Sequence, residues 1–494
     1  MNIGEAPVAL PQTRIHVWPP WAFVFGKRGG EMPRSQKETR SAGDEAEVEG
    51  LPVLRPYVAG IDLASEIHWV CAPNLNGTGR EVEKFGATTP ELERMAEWLE
   101  ERKVESVAME STGVYWIAPY EVLERYEFEI LLVNTRELAR VPGRKKSDHV
   151  DCQWIQRLHS CGLLRGSFRP AEQVCMLRTL VRDRGNLVAA AADWLRRMQK
   201  SLDQMNVRVH RAVKDIEGAT GMAIMRAIVK GERDARKLAE LRDPHCQKSV
   251  EQIAEQLSGH WREDHLFSLQ EALKMYDAVQ TGIADYDQEI LRQLAEMERE
   301  ECRGQQAPKL KNVNKARQIK SRGEEAMRQA LYRMSGVDAT AIDAIGVGTV
   351  QVILSEYGPD LSRFATEKQF VQHATLAPHK PTSGGKALKK KKPGSASTRV
   401  AAALRMAATS LEHSPTALGA YYRQTARHKG GSVAVFATAR KLATLVYRLL
   451  RWGQPYIDEG AAAYEKRYQE SRIKRLTATA KQLGYQLMPK ASEA

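Results

Sequence analysis

The chain has 494 residues, 43% of them hydrophobic, which by domain-size reasoning makes roughly two to four folded units rather than one core. Lys and Arg total 74 against 61 Asp and Glu, and the resulting formal charge of +13 suggests an anionic polymer as partner, with ordinary solubility as the equal alternative. Six scattered cysteines without a CxxC pair argue against a zinc ribbon or a disulfide framework. No apolar run is long enough for a membrane span and no secretory leader is recognisable, so the expected location is the cytoplasm, on DNA when working.

Residues 1–55 lack periodicity and read as a poorly ordered extension, with Trp18, Trp21 and Phe23 as an aromatic cluster inside it. Order begins at Tyr57. YVAGIDLA (57–64) reads as a buried strand and IHWVCAPN (67–74) as a second, close enough for a hairpin. REVEKFGA (80–87) reads as a third strand. Leu92, Met95, Ala96 and Leu99 share one face of a helix over 90–102. A strand over 104–110, a helix over 113–126 and a strand over 128–134 complete an α/β domain at about 56–170.

Residues 171–330 read as helical throughout. Leu269, Tyr276, Ile283, Ile290 and Met297 recur every seventh residue, with Leu266, Leu273 and Leu294 on the same seam and Gln280 and Asp287 as polar positions within it. This heptad predicts a coiled coil that pairs subunits, and a long helix packed in a bundle is the alternative. A mainly helical domain follows over 331–490. In it, 341–358 reads as two helices hinged at Gly346-Val347-Gly348, whose loop amides would meet a phosphate. A basic loop and helices over 396–412, 432–453 and 459–483 complete it.

Four carboxylates carry the chemistry. Asp62 lies in the middle of the first strand, where an unpaired charge is costly to bury, so it calls for a metal or a cation. Glu110 ends a strand of an α/β sheet, where ligand crevices open. Asp148 and Asp151, three apart at a helix start, share one face. Each has an ordinary structural reading alone: a hydrogen-bonded Asp, a surface Glu, a helix cap and a first-turn acid. Together they offer the hard oxygen donors that Mg²⁺ prefers, for two ions about 3.5–4 Å apart, with Mn²⁺ as a substitute.

The second informative stretch is Ser383-Gly384-Gly385-Lys386, followed by Lys389, Lys390, Lys391 and Lys392 and a helix bearing Arg399 and Arg405. Gly-Gly admits close backbone approach and the lysines meet phosphates, which makes this a nucleic-acid-contacting loop; a solvated linker is the plain alternative. Arg427, His428 and Lys429 precede a Gly-Gly break and a further helix. Cations at a helix N-terminus oppose its dipole, so they point to a phosphate, with a surface turn as the equal alternative.

GIDLA, VAMESTGVYW and KKSDHVDCQWI, in that order, resemble the DEDD-type insertion-sequence transposases, whose N-terminal half is similar to the RuvC Holliday-junction resolvases. The resemblance covers about 57–485 and implies an RNase H-like (RuvC-like) fold for 56–170. It places the family's acidic tetrad on Asp62, Glu110, Asp148 and Asp151, and its habitual basic residue on Lys146, next to Lys145. The SGGK loop is similar to the family's serine loop, which implies Ser383 as the nucleophile that attaches to DNA, with Thr382 as a neighbouring hydroxyl. A serine needs activation. The nearest histidine in sequence is His379, so an acidic site brought in from another domain or subunit would supply it. The run of four lysines is longer than the family's usual loop.

The implied activity is recombination that cuts and rejoins DNA to move an insertion element, in the bacterial cytoplasm or nucleoid. An element-encoded bridge RNA would set the target by base pairing, with protein contacts going to backbone and A-form shape. The implied assembly is a homo-oligomer, a dimer or a tetramer built from dimers. Two rivals remain: a structure-selective nuclease that uses the carboxylates for hydrolysis and has no use for Ser383, and a non-enzymatic nucleic-acid scaffold with structural carboxylates.

Overall fold

The computed structural model describes residues 52–76, 79–111, 113–134, 148–377, 382–383, 386–387 and 398–488. Most of the expected N-terminal extension, residues 1–51, lies outside them. The chain divides into two compact units, 1–167 and 168–494.

The first unit is a five-stranded mixed sheet. β1 (Val58–Asp62) and β2 (Ile67–Pro73) form the expected antiparallel pair, and β3 (Arg80–Gly86) adds to β2. After α1 (Thr89–Glu101), β4 (Ser106–Glu110) runs parallel to β1. After α2 (Ile117–Arg125), β5 (Glu129–Val133) runs parallel to β4. The strand order β3-β2-β1-β4-β5, a meander continued by two parallel strands, is an RNase H-like arrangement. α3 (Asp148–Ser160) closes the unit.

Side chains alternate between the faces of a strand, and this sheet uses its faces differently. Ala59, Ile61, Val70, Phe85, Val107 and Met109 bury one face against Leu92, Met95, Leu99 and Leu123 of α1 and α2. The α1 stripe is the one its spacing predicts. α3 covers the other face with Trp154, Ile155 and Leu158 over Ala108. It comes so close that a Cβ on Gly60 would lie 2.3 Å from the Gln156 amide nitrogen and 2.5 Å from the Cys152 carbonyl oxygen. Only glycine lets the helix backbone rest on β1 there.

The second unit is helical apart from a short ribbon. α4 (Glu172–Gln204) is followed by four short helices, α5 (Val209–Ala212), α6 (Ala219–Val229), α7 (Ala235–Glu240) and α8 (Val250–Leu257), and then by α9 (Glu263–Glu296). The heptad seam lies on α9. Leu266, Leu269, Leu273 and Tyr276 meet Met198 and Leu202 of α4 in a core shared with the short helices. Ile290 and Leu294 meet Val174, Leu177 and Val181 in a second core. α4 and α9 are therefore an antiparallel pair within one chain. The polar seam position Asp287 is held by Arg184 through two bonds of 2.6 and 2.8 Å. The partner of the seam is α4, the bundle outcome of the two the heptad allowed.

Beyond α9 come α10 (Val313–Ser321), α11 (Glu325–Ser335), α12 (Val347–Tyr357) and α13 (Glu367–His373). A ribbon of β6 (Thr382–Ser383) and β7 (Lys386–Ala387) precedes α14 (Arg399–Thr409), α15 (Ala417–Lys429), α16 (Gly431–Trp452) and α17 (Gly460–Gln482). Most of these helices share the second core with the N-terminal part of α4 and the C-terminal part of α9, so the expected boundary near 330 falls inside one compact unit. The expected hairpin over 341–358 has one helix, α12, rather than two. Asp338 accepts from the Thr340 amide at 3.0 Å and opens a single 3₁₀ turn, Ala339–Ala341. Arg328 grips Asp338 at 2.5 Å, and Lys315 donates to the Ile342 carbonyl at 2.7 Å. Such side-chain bonds draw the backbone out of a helix. Among the described residues no helix is long and apolar enough to cross a membrane.

Candidate active site

β1 and β4 are parallel and paired Ile61 to Met109, which sets Asp62 and Glu110 side by side at the carboxyl ends of neighbouring strands. Adjacent strands are spaced by about 4.8 Å. Residues two apart share a face, so Asp62 points the way of Gly60 and Glu110 the way of Ala108, toward α3. α3 opens with Asp148 and carries Asp151 in its first turn. Glu110 is 5% and Asp151 8% exposed, whereas Asp62 is half-buried.

Asp62 therefore ends its strand instead of lying in its middle, as the sequence suggested. The sheet ladder stops there because the chain turns toward β2. The carboxylate is half-buried at the strand end, where desolvation is milder than at a strand centre.

Among the described residues no three His, Cys, Asp or Glu stand close enough to hold a metal ion. The side chain of Asp148, the fourth carboxylate, lies outside the described residues, as do Lys145 and Lys146. By donor chemistry the set suits a hard cation, since Asp62, Glu110 and Asp151 bring only carboxylate oxygens. The neighbouring Cys152 does not compete as a thiolate. Burial, reinforced by Cys71 and Asp62, holds its thiol far above the usual range, and burial pushes Cys71 up to about 12.

Three neighbours were not singled out from the sequence. Trp69 is paired with Asp62 across β1 and β2, and Lys84 with Trp69 across β2 and β3. Lys84 Nζ lies 4.2 Å from the indole centroid. His149 of α3 meets the same ring edge-on, with centroids 5.6 Å apart at 88°. Their signal is the hairpin register, which the sequence shows only once GID and IHW are aligned antiparallel. Farther along α3, His159 Nε2 bonds the Ser106 hydroxyl at 2.8 Å, and that hydroxyl donates to the Glu129 carbonyl at 3.0 Å. Burial, with Arg55 nearby, lowers His159 to about 4.

In the second unit Ser383 is paired with Lys386, and Thr382 with Ala387. The joining residues are Gly384 and Gly385, a pair suited to a two-residue hairpin turn. Those glycines, His379, Lys389, Lys390, Lys391 and Lys392 lie outside the described residues, and so do the side chains of Ser383 and Lys386. Arg399 is the exposed first residue of α14, and Arg405 sits over the Phe436 ring at 5.1 Å. Arg427, His428 and Lys429 occupy the last turn of α15, which ends at Gly430 with φ +85°. The sequence argument set them before a helix N-terminus. They do precede the Gly-Gly break and α16, and they also close α15, where the dipole favours cations, so the dipole alone does not call for a phosphate there. α15 itself was missed; its signal is Thr416, whose hydroxyl accepts from the Gly419 amide at 3.2 Å as an N-cap.

Comparison with known proteins fits this layout. A transposase model for the DEDD type of IS110 elements matches residues 59–207, a span that includes Asp62, Glu110, Asp148 and Asp151. A second model, transposase IS116/IS110/IS902 family, matches 338–423, which includes the Ser383 ribbon. No curated protein matches the chain. Both matches, in this order on one chain, support an IS110-family transposase, an enzyme that acts on DNA in transposition.

Proposed function

We propose that the carboxylates at the carboxyl edge of the sheet and Ser383 are two parts of one recombination chemistry, which cuts and rejoins DNA to move an insertion element. The observation that carries it is the placement of Asp62 and Glu110 on adjacent parallel strand ends, beneath the helix that bears Asp148 and Asp151. Asp62, Glu110, Asp148 and Asp151 hold Mg²⁺, which when bound stabilises charge developing on the phosphodiester oxygens. Glu110 and Asp151 would offer their carboxylates from a strand and a packed helix.

Ser383 is the nucleophile. Its hydroxyl oxygen bonds to phosphorus as the bond from phosphorus to a deoxyribose oxygen breaks. The serine proton goes to a base and the leaving oxygen takes one up; rejoining runs the exchange in reverse. The lysines after the ribbon hold the backbone of the DNA. A guide RNA sets the target by pairing, and the net charge of +13 supports both polymers as partners. Joining two duplexes calls for several protomers. Because α4 covers the heptad seam of α9, that assembly needs another surface.

The test is recombination in cells between an element-end plasmid and a target plasmid, with wild type, Asp62→Asn and Ser383→Ala at matched soluble protein. Loss of activity in both variants is the expected result. An active Asp62→Asn protein sinks the metal-site reading. A dead Asp62→Asn beside an active Ser383→Ala leaves a metal-dependent nuclease, with the ribbon as a DNA clamp.

A further inference from the structure

We infer that Trp69 and Lys84 form a stacking subsite for an unpaired DNA base next to the phosphate on which the carboxylates act. This rests on the reading of those carboxylates given above. The pairings Lys84–Trp69 and Asp62–Trp69, with Ile61–Met109 beside them, put Lys84, Trp69, Asp62 and Glu110 in one row across four strands. Directly opposed residues of a sheet share a face, so the whole row faces α3. One strand spacing, about 4.8 Å, separates the indole from the Asp62 position. A strand of nucleic acid crossing the carboxylates therefore meets the indole with its neighbouring nucleotide.

The residue type and its surroundings favour a ligand over packing. Farther along the same face the sheet carries small residues, Gly60, Cys71 and Ala108, against which α3 packs. In the row of the carboxylates this face instead carries a half-buried tryptophan. His149 packs against the ring in a T-shaped contact. The ring face is covered by the ammonium of Lys84, an exposed residue, at 4.2 Å. An exposed cation over an indole is weakly held, whereas a nucleobase offers a whole π-face and is held more strongly. The displaced lysine keeps a partner, since the incoming nucleotide brings its phosphate. The subsite stacks any base and so adds affinity and position without sequence preference.

The probe is a short single-stranded thymidine oligomer carrying 2-aminopurine, bound to the full chain and read by its fluorescence quenching and by anisotropy. Trp69→Phe is expected to keep the quenching and most of the affinity. Trp69→Leu, which keeps bulk without a π-face, is expected to lose the quenching and roughly five- to a hundredfold in affinity, at an unchanged melting temperature. Lys84→Gln is expected to weaken binding less and to flatten its salt dependence. Trp69→Leu that binds and quenches like wild type, while Asp62→Asn is dead, overturns the stacking subsite alone. An active Asp62→Asn overturns the parent reading instead.

Discussion

The two faces of the five-stranded sheet are made by the same strands and do different work. Toward α1 and α2 the alternating residues are Ala59, Ile61, Val70, Val107 and Met109, a dry apolar layer. Toward α3 they are Gly60, Asp62, Trp69, Ser106 and Glu110, where small and polar residues let a helix lie close and leave carboxylates at the strand ends. Period-2 alternation allows this because neighbours in sequence never share a face. One face can be optimised for burial while the other keeps groups that burial penalises.

That contrast predicts separable losses. The largest is Asp62→Asn on the α3 face, expected to cut recombination by roughly three orders of magnitude or more while the unfolding midpoint stays put. On the opposite face Leu99→Ala, at a fully buried position, is expected to lower stability by about 2–5 kcal/mol in urea denaturation. Activity per folded molecule should then be kept. If Leu99→Ala removes activity from folded protein as Asp62→Asn does, the division between the faces is wrong. Gly60→Ala joins both effects, since its Cβ would strike the α3 backbone at 2.3 Å. About 1–3 kcal/mol of stability should go with most of the activity, because α3 carries two of the carboxylates. A fully active, fully stable Gly60→Ala would show that α3 does not need its present seat.

Smaller effects test whether every polar group on the α3 face is chemical. Ser106→Ala leaves His159 Nε2 without its 2.8 Å partner and should cost about 1–2 kcal/mol with activity per folded molecule unchanged. His159 gives a pH signature. Its folded value is about 4, below the ordinary 6.5, so the unfolded chain binds the proton first as pH falls. Its contribution is complete above pH 6.5 and is lost progressively from 6.5 down to about 4. His159→Asn should flatten the fall in stability across that window relative to wild type. Coincident curves would mean the histidine titrates freely in the fold.

Much of this architecture was legible beforehand. The strand patterns of 57–64 and 67–74, and the stripe Leu92, Met95, Ala96 and Leu99, rest on local periodicity that tertiary contacts left intact. The type and order of the four acids rest on residue identity alone. Trp69 and Lys84 stayed hidden because their place beside Asp62 exists only once three strands are in register. Arg427 to Lys429 lie before α16 as expected, but α15 was not recognised, and a cation's relation to a dipole depends also on which helix it ends.

The heptad on α9 shows the same division most plainly. Its period dictated a helix with one apolar seam, since a repeat of seven keeps its side chains on one side of a helix. Whether the seam would meet a second subunit or another helix of the same chain is a question of partners. α4 carries a matching stripe in Val174, Leu177, Val181, Met198 and Leu202, and the four short helices between α4 and α9 bring the chain back alongside it. Local sequence determined most of the elements and the identity of the acids, because periodicity and ionisable groups are written residue by residue. Only the tertiary structure decided which faces meet, because burial of an apolar surface is blind to sequence distance and is settled by whichever surface can reach it.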